Sequence, residues 1–522
     1  MQAIKPRDDR CAERWICLGL LGRSRAAWFR TNRGPRSVVS ERAIGTRPLL
    51  EALASVCLFW QLCLSGCAVG PSYQKPATTL EEFHSAAALE TRSMGAPAPA
   101  LETWWDGFND PMLSRIVQRA RAQNLDLAAA LARVQQARAA AREAGAQLLP
   151  TIDLNGQARR IHQSLESPIG QVASQVPGFD RDQSIYDVNL GASWELDLFG
   201  GLRRGKEAAS AEAQAAIAEQ VGIRISVTAD AADAYLRIRG DQARIVVTEQ
   251  QVATDERLLE LVRERFRRGL AAVRELAQAE ALLSQARASL QPLHIDLEAQ
   301  MNRLDVLLGV QPGTSVADLR TLRDIPPVPS VPVNDKPLEV LRRRPDVIAA
   351  ERRLAASNAR IGQALADYYP KISLAGLLGY ESSHPSDLFK AATFQPQGLV
   401  GLRWRVFDFG KVSAEVAQAK GAEAEALASY QHTVLRAAEE IENAFTSLVQ
   451  VEAHQQELTT EVAALKRARD ASQEAYQGGV IALTDVLDSH RQLLTAQDEL
   501  AQTRADSARA AVGTFRALGG GW

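Results

Sequence analysis

Two rhythms of apolar and polar residues alternate along this chain, and the full arrangement occurs twice. Each occurrence opens with an Ala-, Arg- and Leu-rich stretch, Pro111 to about Gln147 and then Pro337 to about Asp367, whose spacing predicts an unbroken helix. A pair of strands follows. In the first copy Ile152, Leu154 and Ala158 alternate with Asp153, Asn155 and Gln157, and Val188, Leu190, Ala192, Trp194 and Leu196 alternate with Asn189, Ser193 and Glu195. In the second, Ile372 and Leu374 begin one strand, while Val400, Leu402, Trp404 and Val406 alternate with Gly401, Arg403 and Arg405 in the next. A period of two gives one apolar and one polar face. The pattern then turns helical over an unusual length, Leu202 to about Arg268 and Lys411 to about Gln477, either of which reaches roughly 100 Å at 1.5 Å per residue. Ile238, Ile245, Val252, Leu259 and Phe266 recur every seventh residue there, and beyond a turn at Gly269 so do Leu276, Leu283, Leu290, Leu297 and Leu304. Sustained heptads specify helices supercoiled on neighbours.

The two copies match part by part. Leu148-Leu149-Pro150 corresponds to Tyr368-Tyr369-Pro370, Trp194 and Phe199-Gly200 to Trp404 and Phe409-Gly410, and Phe266 with Gly269 to Tyr476 with Gly479. A period of about 210 residues far exceeds that of solenoids and reads as a duplicated domain. Ile325-Pro326-Pro327-Val328-Pro329-Ser330-Val331-Pro332, too proline-rich for helix or inner strand, marks the boundary. The expected organisation is a leader over 1–66, its first 40 or so residues an over-called start or an unusual extension, then an N-terminal segment over 67–110, a first repeat over 111–310, a linker over 311–336 and a second repeat over 337–520.

A soluble hairpin packed on a core is the commoner source of such alternation. Here strands of about ten residues carry charged partners on the polar face and a Trp at the same place in both copies, which fits a barrel with lipid outside and water inside. Four strands cannot close around a lumen, since closure takes about eight, so several chains must share one barrel. The expected fold is therefore mixed α and β: a long coiled-coil helical barrel with four transmembrane strands per chain. A membrane-free coiled-coil scaffold accounts for the helices and leaves the strands unexplained.

With 46% hydrophobic residues the chain can bury a large core, and 60 Lys and Arg against 62 Asp and Glu give no electrostatic case for a nucleic-acid partner. All five cysteines, Cys11, Cys17, Cys57, Cys63 and Cys67, precede residue 68, so no disulfide framework or Cys-rich metal site follows. The apolar run Leu49 to Gly66 ends Leu64-Ser65-Gly66-Cys67 and resembles a bacterial lipoprotein signal, in which the Cys67 thiol carries a diacylglycerol after cleavage. A buried apolar helix ending in Cys by chance is the plainer alternative. Beyond Cys67 no apolar run is long enough for a membrane-spanning helix, leaving strands as the means of crossing a bilayer.

Cys67-Ala68-Val69-Gly70-Pro71-Ser72-Tyr73, Trp104-Trp105, Arg344-Pro345-Asp346-Val347, the two Trp-to-Phe-Gly strand ends and Asp485-Val486-Leu487-Asp488 together resemble the outer membrane factor family of efflux channels, most closely its lipoprotein branch serving resistance-nodulation-division pumps. The resemblance covers nearly all of residues 67–520. It implies a homotrimer with a twelve-stranded barrel continued by a helical tunnel, set in the outer membrane and reaching into the periplasm. Ala68 in place of Asp fits outer-membrane sorting. It implies as partners a periplasmic adaptor, an inner-membrane transporter of that class and outer-membrane lipid, and no cofactor beyond the lipid on Cys67. The tunnel is implied to close at the periplasmic tip, where Asp485 and Asp488 face the lumen, one helical turn apart, and Tyr476 meets Glu275 through its hydroxyl. Ile481 stands where a latch arginine is expected, with Arg274 as a possible substitute. Gly269-Leu270 and Gly479-Val480 are implied to be the helix-turn tips that meet the adaptor, and Trp194 and Trp404 the membrane-interface aromatics. A protein-secretion duct is the alternative use of such a channel.

Enzymatic chemistry finds no footing. Gly200-Gly201-Leu202-Arg203-Arg204-Gly205-Lys206 nearly spells a phosphate-binding loop, but Glu207 replaces the Ser or Thr that would hold magnesium. The seven histidines, His84, His162, His294, His384, His432, His454 and His490, form no pair or carboxylate cluster with zinc spacing.

Overall fold

The computed structural model describes residues 68–77, 81–86, 89, 98–314, 316–332 and 337–522. Cys67 and the leader ahead of it lie outside the described residues. The first repeat runs α1 (Pro111–Gln123), α2 (Leu125–Ala146), β1 (Thr151–His162), a short α3 (Pro168–Ala173), β2 (Asp182–Leu196), α4 (Gly201–Arg267) and α5 (Val273–Leu307). The second runs α6 (Pro337–Arg343), α7 (Pro345–Ala366), β3 (Lys371–Ser382), β4 (Phe394–Arg403), α8 (Lys411–Gln477) and α9 (Leu483–Ala517). Four pairs of equivalent elements agree in length to the residue: 22 for α2 and α7, 12 for β1 and β3, 67 for α4 and α8, and 35 for α5 and α9.

The helical stretches expected to be unbroken are each broken once. Asn124 is extended, with φ −63° and ψ 131°, and its side-chain oxygen accepts from the amides of Asp126 at 2.9 Å and Leu127 at 3.1 Å, capping α2. In the second repeat Pro345 has no amide to donate and holds Arg344 extended at φ −67° and ψ 124°. A further difference is that β4 ends at Arg403, so Trp404, Arg405 and Val406, expected within the strand, lie beyond the ladder.

The four strands form one antiparallel sheet in the order β1-β2-β3-β4, leaving β1 and β4 as edges. The long helices leave it through left-handed glycines, Gly200 at φ 81° and Gly410 at φ 86°, where a side chain would be strained. Aspartates just upstream satisfy the first free amides: Asp197 accepts from Leu202 and Arg203, Asp408 from Gly410 and Val412. α4 and α5 form one hairpin, α8 and α9 the other, and α4 also packs along α2, α7 and α9. Its alanines make the close approach to α7 possible, with Ala211 against Ala355 and Ala356, and Ala215 and Ala218 against Ala349.

Midway along the helices a large apolar cluster gathers both repeats, the linker and the C-terminus. Trp104, Phe108, Leu113, Tyr235, Met301, Ile441 and Phe515 are buried in it, and Trp104 stacks on Phe515 at 5.3 Å. Arg344 explains the Arg-Pro-Asp signature structurally. Its guanidinium binds both oxygens of Asp346, the Glu440 carboxylate at 2.5 Å and the Ala517 carbonyl at 3.1 Å, tying the start of α7 to α8 and the end of α9.

Two expectations follow. Phe515→Ala removes a fully buried ring and should cost about 3–5 kcal/mol, lowering the thermal midpoint in detergent; an unchanged midpoint would show that the cluster is not what holds the repeats together. Burial pushes Asp241 on α4 up to about 6, against the downward pull of Arg244 and with Asp296 adding to the rise. Because the folded state holds this proton more tightly than the unfolded one, stability should fall as pH rises from about 4 to 6. Asp241→Asn should therefore raise the midpoint at pH 8 and leave it nearly unchanged at pH 4.

Candidate functional site

The ends of the two hairpins farthest from the sheet are built alike. At the first, Gly269 adopts φ 72°, its amide donates to the Phe266 carbonyl at 2.9 Å, and the Leu270 amide donates to the Arg265 carbonyl at 2.8 Å. At the second, Gly479 adopts φ 75°, with its amide on Tyr476 at 3.0 Å and the Val480 amide on Ala475 at 2.9 Å. This is the double hydrogen bond with which a left-handed glycine closes a helix. Leu270 and Val480 stand out at the apices, 65% and 79% exposed.

Just inside the apices a small apolar cluster joins the hairpins: Leu258, Leu259 and Val262 of α4, Ala279 and Leu283 of α5, Tyr476 of α8, and Leu483 and Val486 of α9. Tyr476 is buried, with the Arg265 guanidinium 4.5 Å from its ring centre and also donating to its carbonyl at 3.1 Å. Burial raises the Tyr476 hydroxyl above its ordinary value, with Arg265 opposing and Glu275 adding slightly. That hydroxyl has no hydrogen-bond partner. The expected bond to Glu275 is absent because Glu275, third residue of α5, turns back to cap its own helix at the Ala272 amide, 3.3 Å away. The cation against Tyr476 is thus Arg265; Arg274 is exposed, and Ile481 packs on the apolar cluster.

Asp485 is exposed in the first turn of α9, while Leu483 and Val486 beside it point inward. Asp488, one turn on, is half-buried and accepts from Arg491 at 2.5 Å and Gln492 at 2.6 Å. About three to four turns from the apices a polar pair crosses between the hairpins: His490 Nδ1 of α9 lies 3.3 Å from Asp255 Oδ1 of α4, both side chains 1% exposed, and Gln251 donates to the same oxygen at 2.7 Å. His490 Nε2 and Asp255 Oδ2 find no partner. Neither this pair nor Arg265 was singled out from sequence. The signal was available for His490, which interrupts the buried stripe Leu483, Val486, Leu493.

At the other end of the long helices the two tryptophans are equivalent. Trp194 Nε1 donates to the Leu148 carbonyl at 2.9 Å and Trp404 Nε1 to the Tyr368 carbonyl at 3.0 Å, locking each strand end to the chain entering its neighbour. Among the described residues no cluster of His, Cys, Asp or Glu could hold a metal ion, and no helix is long and apolar enough to cross a membrane.

His490→Leu should leave the Asp255 carboxylate buried without its cross-hairpin partner, at about 1–3 kcal/mol, whereas His490→Gln keeps a donor and should lose less. Faster amide exchange at the α4 and α9 tips in the leucine variant, slowed again in the glutamine variant, is the expected readout. Equal exchange in both would remove this pair from the forces holding the hairpins together.

The comparisons with known proteins converge. The family model "Outer membrane efflux protein" matches residues 116–310 and 337–520. A pyoverdine export outer membrane protein, OpmQ of Pseudomonas putida, is 32% identical over 428 residues, covering 81% of this chain and 88% of that one. The toluene efflux pump outer membrane protein TtgI of Pseudomonas putida is 30% identical over 480 residues, 90% and 98% of the two chains. Among solved structures the outer-membrane channel OprN superposes with a TM-score of 0.79 at 32% identity, over 87% of this chain and all of that one. The open-state MtrE channel of Neisseria gonorrhoeae gives 0.74 at 27% identity, over 87% and 98%. The family resemblance seen in the sequence motifs thus holds, and this chain belongs to the outer membrane efflux proteins, channels of the bacterial outer membrane.

Proposed function

We propose that this protein is the exit duct of a tripartite efflux pump: a homotrimer in which four strands from each copy complete a twelve-stranded barrel, continued into the periplasm by the helical hairpins. The observation that carries this is the joining, in one chain, of a four-stranded sheet with two free edges to a pair of 67-residue helices. A barrel supplies partners for the edges, and helices of about 100 Å supply a passage across the periplasmic space.

Transport through it is passive, driven by an inner-membrane transporter of the resistance-nodulation-division class and handed over by a periplasmic adaptor that seats on the Gly269-Leu270 and Gly479-Val480 tips. The relatives' named cargoes, pyoverdine and toluene, differ so widely in chemistry that a weakly selective water-filled duct suits them. Cys67 carries a lipid in this reading. The residues after it support the placement: the Val69 amide donates to the Phe199 carbonyl at 3.0 Å, in the turn between β2, which carries Trp194, and α4. An acyl chain there would enter the bilayer at its periplasmic interface, where indole rings are favoured.

The gate lies at the hairpin tips. Three copies of Asp485 and Asp488 would gather six carboxylates in a narrow ring that attracts cations and repels itself, with the Tyr476–Arg265 contact and the Asp255–His490 pair holding the hairpins together behind it. In planar bilayers the protein should give small, mostly closed, cation-selective currents, and Asp485→Asn with Asp488→Asn should enlarge them or abolish the selectivity. Well-folded trimers without conductance would overturn the channel; unchanged currents in the double variant would move the gate elsewhere.

A further inference from the structure

The internal repeat specifies how one copy must meet the next. We infer that β4 of one copy pairs antiparallel with β1 of its neighbour in a single register, Val406 opposite Ile152, Arg405 opposite Asp153 and Trp404 opposite Leu154, with an Arg405–Asp153 ion pair across the joint. This rests on the multi-copy barrel proposed above and names the contacts that build it.

Within one chain the repeats meet where β2 pairs with β3, and there Leu196 lies opposite Ile372, Glu195 opposite Ser373 and Trp194 opposite Leu374. In the duplication Trp194 corresponds to Trp404, and Thr151, first residue of β1, to Lys371, first residue of β3. Carrying the β2–β3 join over to β4 and a neighbour's β1 yields the register stated.

The early end of β4 has the same origin. β1 holds β2 only as far as Ser193, which pairs with Thr151, and β3 holds β4 only as far as the equivalent Arg403, which pairs with Lys371. Trp194, Glu195 and Leu196 stay in the ladder because β3, from the other repeat, pairs with them. Trp404, Arg405 and Val406 have no such neighbour in a single chain, and it is these three that fall outside the strand. A second copy's β1 supplies it.

The surfaces agree in chemistry. Val406, Trp404, Leu402 and Val400 are 79%, 56%, 69% and 73% exposed, and the register sets them opposite Ile152, Leu154, Gly156 and Ala158, keeping one face apolar. On the other face Arg405 meets Asp153, Arg403 meets Asn155 and Gly401 meets Gln157; within its own chain Arg405 reaches only as near as 3.8 Å to Glu415. A shift of one residue would oppose apolar to polar side chains along the whole joint. A shift of two keeps the faces and loses the ion pair, setting Arg405 against Thr151 or Asn155. The joint continues below the strands. Phe199 stacks on Tyr369 at 4.5 Å between the repeats, and their counterparts are Phe409 and Leu149, 91% and 65% exposed, which meet between copies.

Cysteine pairs test the register in the full-length protein in outer membranes, where residues 68–522 contribute no thiol of their own. Side chains directly opposite on antiparallel strands sit about 4.5–5.5 Å apart at Cβ, close enough to bridge. Arg405→Cys with Asp153→Cys should give covalent trimers on a non-reducing denaturing gel, at least fivefold more than Arg405→Cys with Thr151→Cys or Asn155→Cys. Linking through Thr151 or Asn155 instead would overturn the register and leave the trimeric duct standing. Trimers that link through none of the three would overturn the β4–β1 joint, and protein that runs only as a monomer would take the trimeric proposal with it. Charge exchange gives a second readout without thiols: Arg405→Asp and Asp153→Arg should each lower the fraction of detergent-resistant trimer severalfold, and the double variant should restore it. Failure of that rescue, with both single variants folded, would remove the ion pair.

Discussion

A strand edge cannot face hydrocarbon, because its amides and carbonyls would lose water and find nothing in exchange. This chain carries two such edges, β1 and β4, on a sheet too narrow to curl closed. The rest of the structure can be followed outward from that constraint. In the proposed duct other copies complete the strands, and the helices leaving them at Gly200 and Gly410 continue the ring that the barrel sets. Arg344 and the Trp104–Phe515 cluster hold those helices together midway, where neither lipid nor an apex constrains them.

The large features were legible in the sequence because they come from periodicity, which survives without knowledge of tertiary contacts. Alternation placed all four strands, the 67-residue helices emerged within a residue or two of their bounds, and the two apex glycines adopt the left-handed conformation their position calls for. The failures are local. Asn124 and Pro345 each end a helix with a cap or a missing amide, signals that a count of apolar spacings passes over. Trp404 to Val406 alternate as a strand should, but alternation reports which face a residue is suited to and not whether a neighbour is present to pair with it. At the tips, Glu275 is drawn to its own helix end, a nearer partner than the Tyr476 hydroxyl. Arg265 and Asp255 belong to α4, whereas the residues they meet are on α8 and α9. Contacts between residues so far apart in sequence leave no periodic trace.

The two packed regions differ in character. The mid-helix cluster is large, aromatic and apolar. Near the apices the interior is small, and buried polar atoms of Asp255, Arg265, Gln278, Tyr476 and His490 have no partner. Trp104, Trp105 and Arg239 in the middle also bury polar atoms without a partner, so the regions differ in the extent of their apolar packing, and the smaller cluster leaves the tips held by fewer apolar contacts. In the proposed duct that difference suits a tube that opens at one end without loosening along its length.

The offset between the two repeats changes once across the sheet. Lys371 follows Thr151 by 220 residues, yet Lys411 follows Gly201 by only 210, so the second copy is shorter somewhere between its strands. The shortening falls at the end of the sheet away from the long helices, where residues 163–181 with α3 stand against residues 383–393 in the second repeat. The long helices and β1 with β3 keep step with their twins, and a residue gained in one helix would offset an apex or a strand. In the proposed duct this rim is where the two repeats are free to differ, and an epitope inserted there would displace neither an apex nor a strand.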